Sequence, residues 1–307
     1  MKRWVRFQAL GILSALVMMN VALAIATPHF LTTDNILSVI RNFSFVAIMG
    51  IGEMIVIITA GIDLAVGSIL GLTSCLTAFL FKSGLSVELA IGGGLFAGIL
   101  LGLANGLLIT RLKLPPFIVT LGMLSIARGL AYVITDGWPI AGFTPKFMFL
   151  GQGHLFWIPF PIIIMLILAL IGSIFLNLTR WGRWIYAIGG NEVATHLSGV
   201  PVNQVKVLAY IISGLTAAIA GVLLIARLGV AQPTGGMGYE LDVIAAAVIG
   251  GTSLMGGAGT ITGLLIGAAI MGVLRNGLVL LGVSAFWQQV AIGVVIVLAV
   301  TIDKIRK

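Results

Sequence analysis

Long apolar runs follow one another along this chain with almost no charge between them. At the roughly 20-residue length a bilayer core demands, candidate spans fall at 7–27, 43–60, 64–81, 89–110, 116–134, 159–177, 207–226, 243–256, 260–281 and 285–302. The eighth is short, and the second and third are almost continuous. Only 8% of the 307 residues are charged and 60% are hydrophobic, where a soluble domain carries about 25% charged residues. Such a chain lacks the polar surface to cover a water-exposed fold. Lipid removes that difficulty, provided the backbone is paired within helices. The expected fold is all-α: a polytopic transmembrane helical bundle of about ten helices, one domain over 1–307.

Basic residues set the expected orientation. With both termini inside, the inner stretches carry Lys2, Arg3 and Arg6, then Arg111 and Lys113, then Arg180, Arg183 and Lys206, then Lys304, Arg306 and Lys307. The outer loops keep only Arg41, Lys82, Lys146 and Arg227, and Arg128 and Arg275 fall within spans. This asymmetry is the positive-inside pattern and predicts an N-in, C-in topology. It also accounts for the formal charge of +8 without nucleic acid, for which no Lys/Arg run with interleaved aromatics exists. Ala24-Ile25-Ala26 looks like a signal cleavage site, yet 7–26 is long enough to span and is read as an uncleaved first helix. Two connections exceed simple turns: an outer loop, 135–158, with Trp138 and Trp157, and an inner loop, 178–206.

Several chemistries are excluded. The single cysteine, Cys75, allows no internal disulfide or thiolate site, and His29, His154 and His196 lack metal-ligand spacing. None of the lysines follows a glycine, so no Gly-Lys-Ser/Thr phosphate loop exists. Energy for any active process must enter through a partner or an ion gradient.

Four features could carry function. Within the inner loop, Asn191 is a good N-cap, Glu192 opens a first turn, and Gly199 and Pro201 end it. The helix over 192–198 puts Val193 and Leu197 on one face. Two turns are not stable alone in water, so it packs on something: either a cytoplasmic protein, or the headgroups beside Trp181 and Trp184. Intramembrane charges cost more. Asp63, at the break between the second and third spans, reads as a cap for the helix starting at Leu64. Arg128 and Arg275 read as paired or interfacial, and Glu53 has no obvious local partner. The glycine-rich stretch 250–259 is either a tight turn or a broken helix near a pathway. Just before it, Glu240 and Asp242 sit at a helix start, favoured by its dipole, where they could also face a docking partner outside. Gly61-x-x-Leu64-x-x-Gly67 recurs as Gly251-x-x-Leu254-x-x-Gly257, but both copies lie on one side, which an inverted repeat offset by five helices forbids; the match is read as chance. Small-xxx-small spacing at Gly94, Gly98, Gly102 and Gly106 reads as close helix packing.

Several of these stretches are familiar. Ala60-Gly61-Ile62-Asp63-Leu64-Ala65-Val66-Gly67-Ser68 resembles a Gly-Ile-Asp-Leu-Ser-Val-Gly motif of the ribose-type permease family of ABC importers, with Ala65 in place of Ser. Tyr186-Ala187-Ile188-Gly189-Gly190-Asn191-Glu192 and Leu197-Ser198-Gly199-Val200 are similar to that family's cytoplasmic coupling loop. The run from Ala226-Arg227-Leu228 through Gly238-Tyr239-Glu240-Leu241-Asp242 to Gly250-Gly251-Thr252-Ser253-Leu254 is the most specific, and Asn276-Gly277-Leu278 extends the likeness. The resemblance covers the chain from about residue 25. Glu53 departs from it, where an apolar or hydroxylic residue is expected.

The resemblance implies a type II ABC importer-like permease in a bacterial inner membrane. It binds no cofactor itself, with ATP and Mg on a separate ATP-binding subunit. Its partners would be that subunit, an extracytoplasmic sugar-binding protein, a second permease subunit and lipid. Coupling to the ATPase would fall on Asn191, Glu192, Val193, Ala194, His196, Leu197, Ser198 and Gly199. Glu53, Asp63, Asn105 and Asn276 would line or gate the pathway, and Glu240 and Asp242 would dock the binding protein. Two other classes compete: an ion-coupled secondary transporter using Glu53 and Asp63, and a passive small-solute channel.

Overall fold

The computed structural model describes residues 2–305, with side-chain environments for 11–301 apart from 299. The terminal basic clusters used for orientation lie outside those side chains. Thirteen helices occupy the described residues: α1 (Lys2–Ala26), α2 (Thr33–Ile58), α3 (Val66–Lys82), α4 (Val87–Arg111), α5 (Pro116–Thr135), α6 (Pro145–Gln152), α7 (Phe160–Leu178), α8 (Arg180–Gly190), α9 (Glu192–Leu197), α10 (Val202–Leu228), α11 (Tyr239–Ile249), α12 (Ile261–Leu280) and α13 (Ala285–Ile305). Six of them, α2, α4, α5, α7, α10 and α12, are long and apolar enough to cross a membrane by length and composition. Shorter apolar helical stretches lie at Gly11–Ala26, Val66–Lys82 and Ala285–Leu298.

Two helices form the centre. About 72% of the apolar windows of α2 and of α10 is buried, against 22–39% for the other four. α10 packs on α4, α2 and α3, while α2 also meets α11, α12, α7 and α8. The most extensive helix-to-helix contact is between α4 and α10. A Cβ at Gly102 would lie 2.9 Å from the Ile211 Cα, and one at Gly98 would lie 2.6 Å from the Ala218 Cβ. The small-residue stripe is therefore a backbone-to-backbone seam, as its spacing predicts.

The segment after α5 is structured. Strand β1 (Ile140–Ala141) pairs antiparallel with β4 (Val230–Ala231), tying it to the end of α10, and β2 (His154–Leu155) pairs with β3 (Ile158–Pro159). Phe143 stacks on Phe147 at 4.7 Å, whereas Trp157 is 90% exposed.

The eighth expected span differs from its sequence reading. The helix is not 243–256 but Tyr239–Ile249, and the chain then runs irregularly through 250–260. Gly251, Gly256 and Gly257 adopt φ of +89°, +87° and +74°, a region that side-chain-bearing residues avoid, so the helix cannot continue. The stretch is no tight turn, because Thr252 and Ser253 within it are buried.

The seam makes a direct prediction. Gly102→Leu should destabilise the chain by about 1–3 kcal/mol or more through overpacking, read as a lower unfolding temperature in detergent. Gly122→Ala, with nothing within 4 Å of its Cβ, should leave that temperature unchanged.

Candidate functional site

α2 stops at Ile58 and α3 starts at Val66, leaving residues 59–65 to be satisfied by side chains. Thr59 turns its hydroxyl back onto the Val56 carbonyl (2.7 Å), and the Gly61 N–H donates to the same oxygen (3.2 Å). Ala60 takes φ +60°. The Asp63 N–H donates to Glu53 Oε1 at 3.1 Å, the Ala65 N–H to Asp63 Oδ1 at 3.0 Å, and Ser213 Oγ of α10 to Asp63 Oδ2 at 2.9 Å. Tyr210 of α10 and Thr120 of α5 both reach the Ile62 carbonyl at 3.4 Å. Glu53 and Asp63 are fully buried.

Asp63 bonds the Ala65 N–H just ahead of α3, but it is not the cap its position suggested: α3 starts at Val66 rather than Leu64, its N-cap position is Ala65, and no side chain caps it. Glu53 does have a local partner, the Asp63 amide. Its spacing of ten residues across a helix break is outside the i+3 and i+4 pattern that sequence reading searches. Tyr210, Ser213 and Thr120 were missed altogether. The one signal was a hydroxyl tip in an otherwise apolar span.

A second set of contacts joins this break to the glycine-rich segment. The Gly257 N–H donates to the Ile58 carbonyl at 2.9 Å, and a Cβ at Gly256 would touch the Ala60 Cβ at 3.0 Å. The second Gly-x-x-Leu-x-x-Gly stretch therefore ends against the end of α2, just before the first. Tyr186 of α8 donates its hydroxyl to the Gly259 carbonyl at 2.7 Å. Gly189 lies so close to the Ile58 oxygen and the Gly257 nitrogen that no side chain fits between them. α8 is anchored further by Trp181 and Trp184, edge-to-face at 5.2 Å with Arg180 beside both.

α9 follows directly. Asn191 caps it, accepting from the Ala194 N–H at 2.9 Å, and Gly199 closes it at φ +81°. Lys206 of α10 holds Glu192 at 2.6 Å. Asn191, Glu192, Val193, Ala194, His196, Leu197, Ser198 and Gly199 are all exposed, with Val193 at 70% and Leu197 at 81%; only Thr195 is buried. Beside it a groove lined by Lys113, Glu192, Val193 and His196 opens outward.

At the opposite ends of α2 and α12 lies an open cavity of about 300 Å³, lined by polar Ser38, Asn42, Tyr239, Asp242, Arg275 and Asn276 and by apolar Phe43, Val46, Met271 and Val279. Arg275 pairs with Asp242 at 2.6 Å, and Asn276 and Asn35 exchange amide hydrogen bonds at 2.7 and 3.1 Å. Asp242 is only 4% exposed, so its carboxylate faces Arg275 and not a docking surface. Glu240 is half-buried and accepts from the Gly238 N–H at 3.2 Å. Asn105 is fully enclosed with neither amide group partnered, whereas Asn276, held by Asn35, is partly exposed and lines the cavity. Arg128 bonds the Pro233 and Gly235 carbonyls, the latter at 2.7 Å. Arg128 and Arg275 are thus both paired with protein groups.

A bundle of apolar helices around a helix break bonded from several neighbouring elements, with a capped two-turn helix left bare at one end, is the architecture of a membrane permease. The chain belongs to the family described as the permease component of the branched-chain amino acid transport system, which matches residues 35–300. More particularly, it is 44% identical over 295 residues to the ribose import permease protein RbsC of Escherichia coli (strain K12), covering 95% of this chain and 92% of that one. With RbsC of Bacillus subtilis (strain 168) it shares 47% over 299 residues, 97% and 93% of the two chains. It is 42% identical over 283 residues to the D-allose transport system permease protein AlsC of E. coli (strain K12), covering 92% and 87%. No solved structure matches the chain. It is a multi-pass permease of the bacterial inner membrane.

The break supplies a test. Ser213→Ala removes a buried hydrogen bond to Asp63 and should cost about 1.5–3 kcal/mol, seen as a lower unfolding temperature of the purified chain. The exposed Ser125→Ala should leave it unchanged.

Proposed function

We propose that this chain forms the translocation pathway of an ATP-binding cassette importer for ribose or a similar neutral sugar. The sugar reading rests on the relatives, three of which carry ribose or allose in their names. The observation that carries the importer reading is α9. A helix this short does not persist alone, yet its caps are complete and its apolar Val193 and Leu197 point at nothing. A cytoplasmic ATP-binding subunit would cover that surface, and it would hold the ATP and Mg this chain has no loop to bind.

In this reading the chain crosses the membrane ten times, N-in and C-in, with α11 and the irregular segment 250–260 together making the eighth crossing. α9 and the Tyr186–Gly259 contact then lie inside. The cavity beside Arg275 lies outside, where a sugar-loaded binding protein would arrive. The open face of α5, with Gly122, Ser125 and Gly129 uncovered, suits a second permease subunit and a small, hydroxylated pathway wall. A second reading, an ion-coupled transporter, draws on the buried Glu53 and Asp63; uptake by the isolated chain that follows an ion gradient without nucleotide would favour it.

Leu197→Asp places a charge on the bare face of α9 without touching the bundle. The ATP-binding subunit should be lost from the complex purified in mild detergent, a change of about 2 kcal/mol or roughly thirtyfold in affinity, while membrane insertion is unchanged. Normal assembly and uptake by this variant would sink the coupling role.

A further inference from the structure

Glu53 and Asp63 share the α2–α3 break with no counter-charge, and the basic residues on the surrounding helices are committed elsewhere. On α10, Lys206 pairs with Glu192, and Arg227 with Asn42. On α12, Arg275 pairs with Asp242. α7 contains no charged residue; on α8, Arg180 lies beside Trp181 and Trp184 and Arg183 is exposed. α11 adds only the acidic Glu240 and Asp242 in its first turn. Of the helices beside the break, α3 spends Lys82 on the Gly142 carbonyl and α5 spends Arg128 on those of Pro233 and Gly235. Of the side chains around the break, Ser213 of α10 donates to Asp63 Oδ2, while Tyr210 of α10 and Thr120 of α5 bond the Ile62 carbonyl next to it; all three are neutral.

Two carboxylates buried together without a cation would leave a double negative charge where each ion costs several kcal/mol. Groups so placed neutralise instead. The two are not equivalent. Asp63 sits just ahead of α3, where the helix dipole favours an anion, and each of its oxygens accepts a hydrogen bond. Glu53 accepts one, from the Asp63 N–H, and its Oε2 is buried without a partner.

We propose that the break is a proton-binding site with Glu53 as the carrier: in this conformation Glu53 is a neutral carboxylic acid and Asp63 is the anion. Taking up the proton forms one O–H bond on Glu53, the proton coming from water, and breaks none within the chain. Neither residue is exposed, so the proton returns to water only when the break opens.

Infrared spectroscopy of the full chain in lipid nanodiscs tests this without a transport assay, so its outcome is separable from that of the importer reading. At neutral pH the wild-type chain should show one protonated-carboxyl stretch that exchanges slowly in heavy water. Glu53→Gln should lose it; Asp63→Asn and the exposed Glu88→Gln should keep it. No such band in the wild type overturns the proposal. So does a band that Asp63→Asn removes and Glu53→Gln retains, or one that added sodium erases, which would make a metal ion the occupant. The wild-type spectrum stands by itself if a variant fails to fold.

Discussion

Where a helix stops out of reach of water, its last carbonyls and the first amides of its successor must find partners in the protein. That requirement organises the centre of this molecule. α2 and α10 are its most enclosed helices, and the break after α2 is closed from every side: Thr59 from within, Glu53 from the preceding turns, Ser213 and Tyr210 from α10, Thr120 from α5 and Gly257 from the irregular segment. Each closing group fixes the position of the element that bears it. The glycine seam between α4 and α10 serves the same end, since α10 can present Ser213 and Tyr210 only if it is held hard against its neighbours.

The same closure links the break to the bare helix α9. α9 continues directly from α8, α8 holds Gly259 through Tyr186, and the segment that includes Gly257 holds the end of α2. These are short, direct contacts between backbone and planar side chains, with Gly189 removing the slack a side chain would introduce. A movement of α8 toward this contact would press on the Gly257–Ile58 hydrogen bond and the end of α2. Contiguity alone does not establish energetic coupling, but it shows which bonds such coupling would have to break.

The bundle was legible in the sequence because hydropathy and loop charge act over whole segments, and each of the ten apolar runs meets a helix. α9 was legible because capping is local: Asn191, Glu192 and Gly199 lie within one short stretch and each acts on its own turn. The family followed from short motifs at the break, the coupling loop and the segment before α12. What sequence reading missed is non-local. Glu53 meets Asp63 across a break, Ser213 meets Asp63 across 150 residues, and Gly257 meets Ile58 although nothing in either segment predicts it. The eighth span was misplaced because hydropathy cannot distinguish an apolar helix from apolar irregular backbone buried in protein. Only the positive φ of Gly251, Gly256 and Gly257 makes that distinction.

Charge accounting also constrains what can pass. Arg128, Arg275 and Asp242 are bound to protein groups, and Glu53 and Asp63 are sealed in the break. None is free to meet a charged solute without first giving up a partner in a setting where a lone ion is costly. The uncovered face of α5 carries two glycines and a serine among the exposed apolar Ile118, Ile126 and Val133, which give room and weak hydrogen bonding but no charge. A wall of that kind cannot discriminate strongly among uncharged polyols, because one hydroxyl more or less changes its contacts little. In the proposed importer, selectivity would then be exercised before the solute reaches the bundle, which is the role a separate sugar-binding protein would fill.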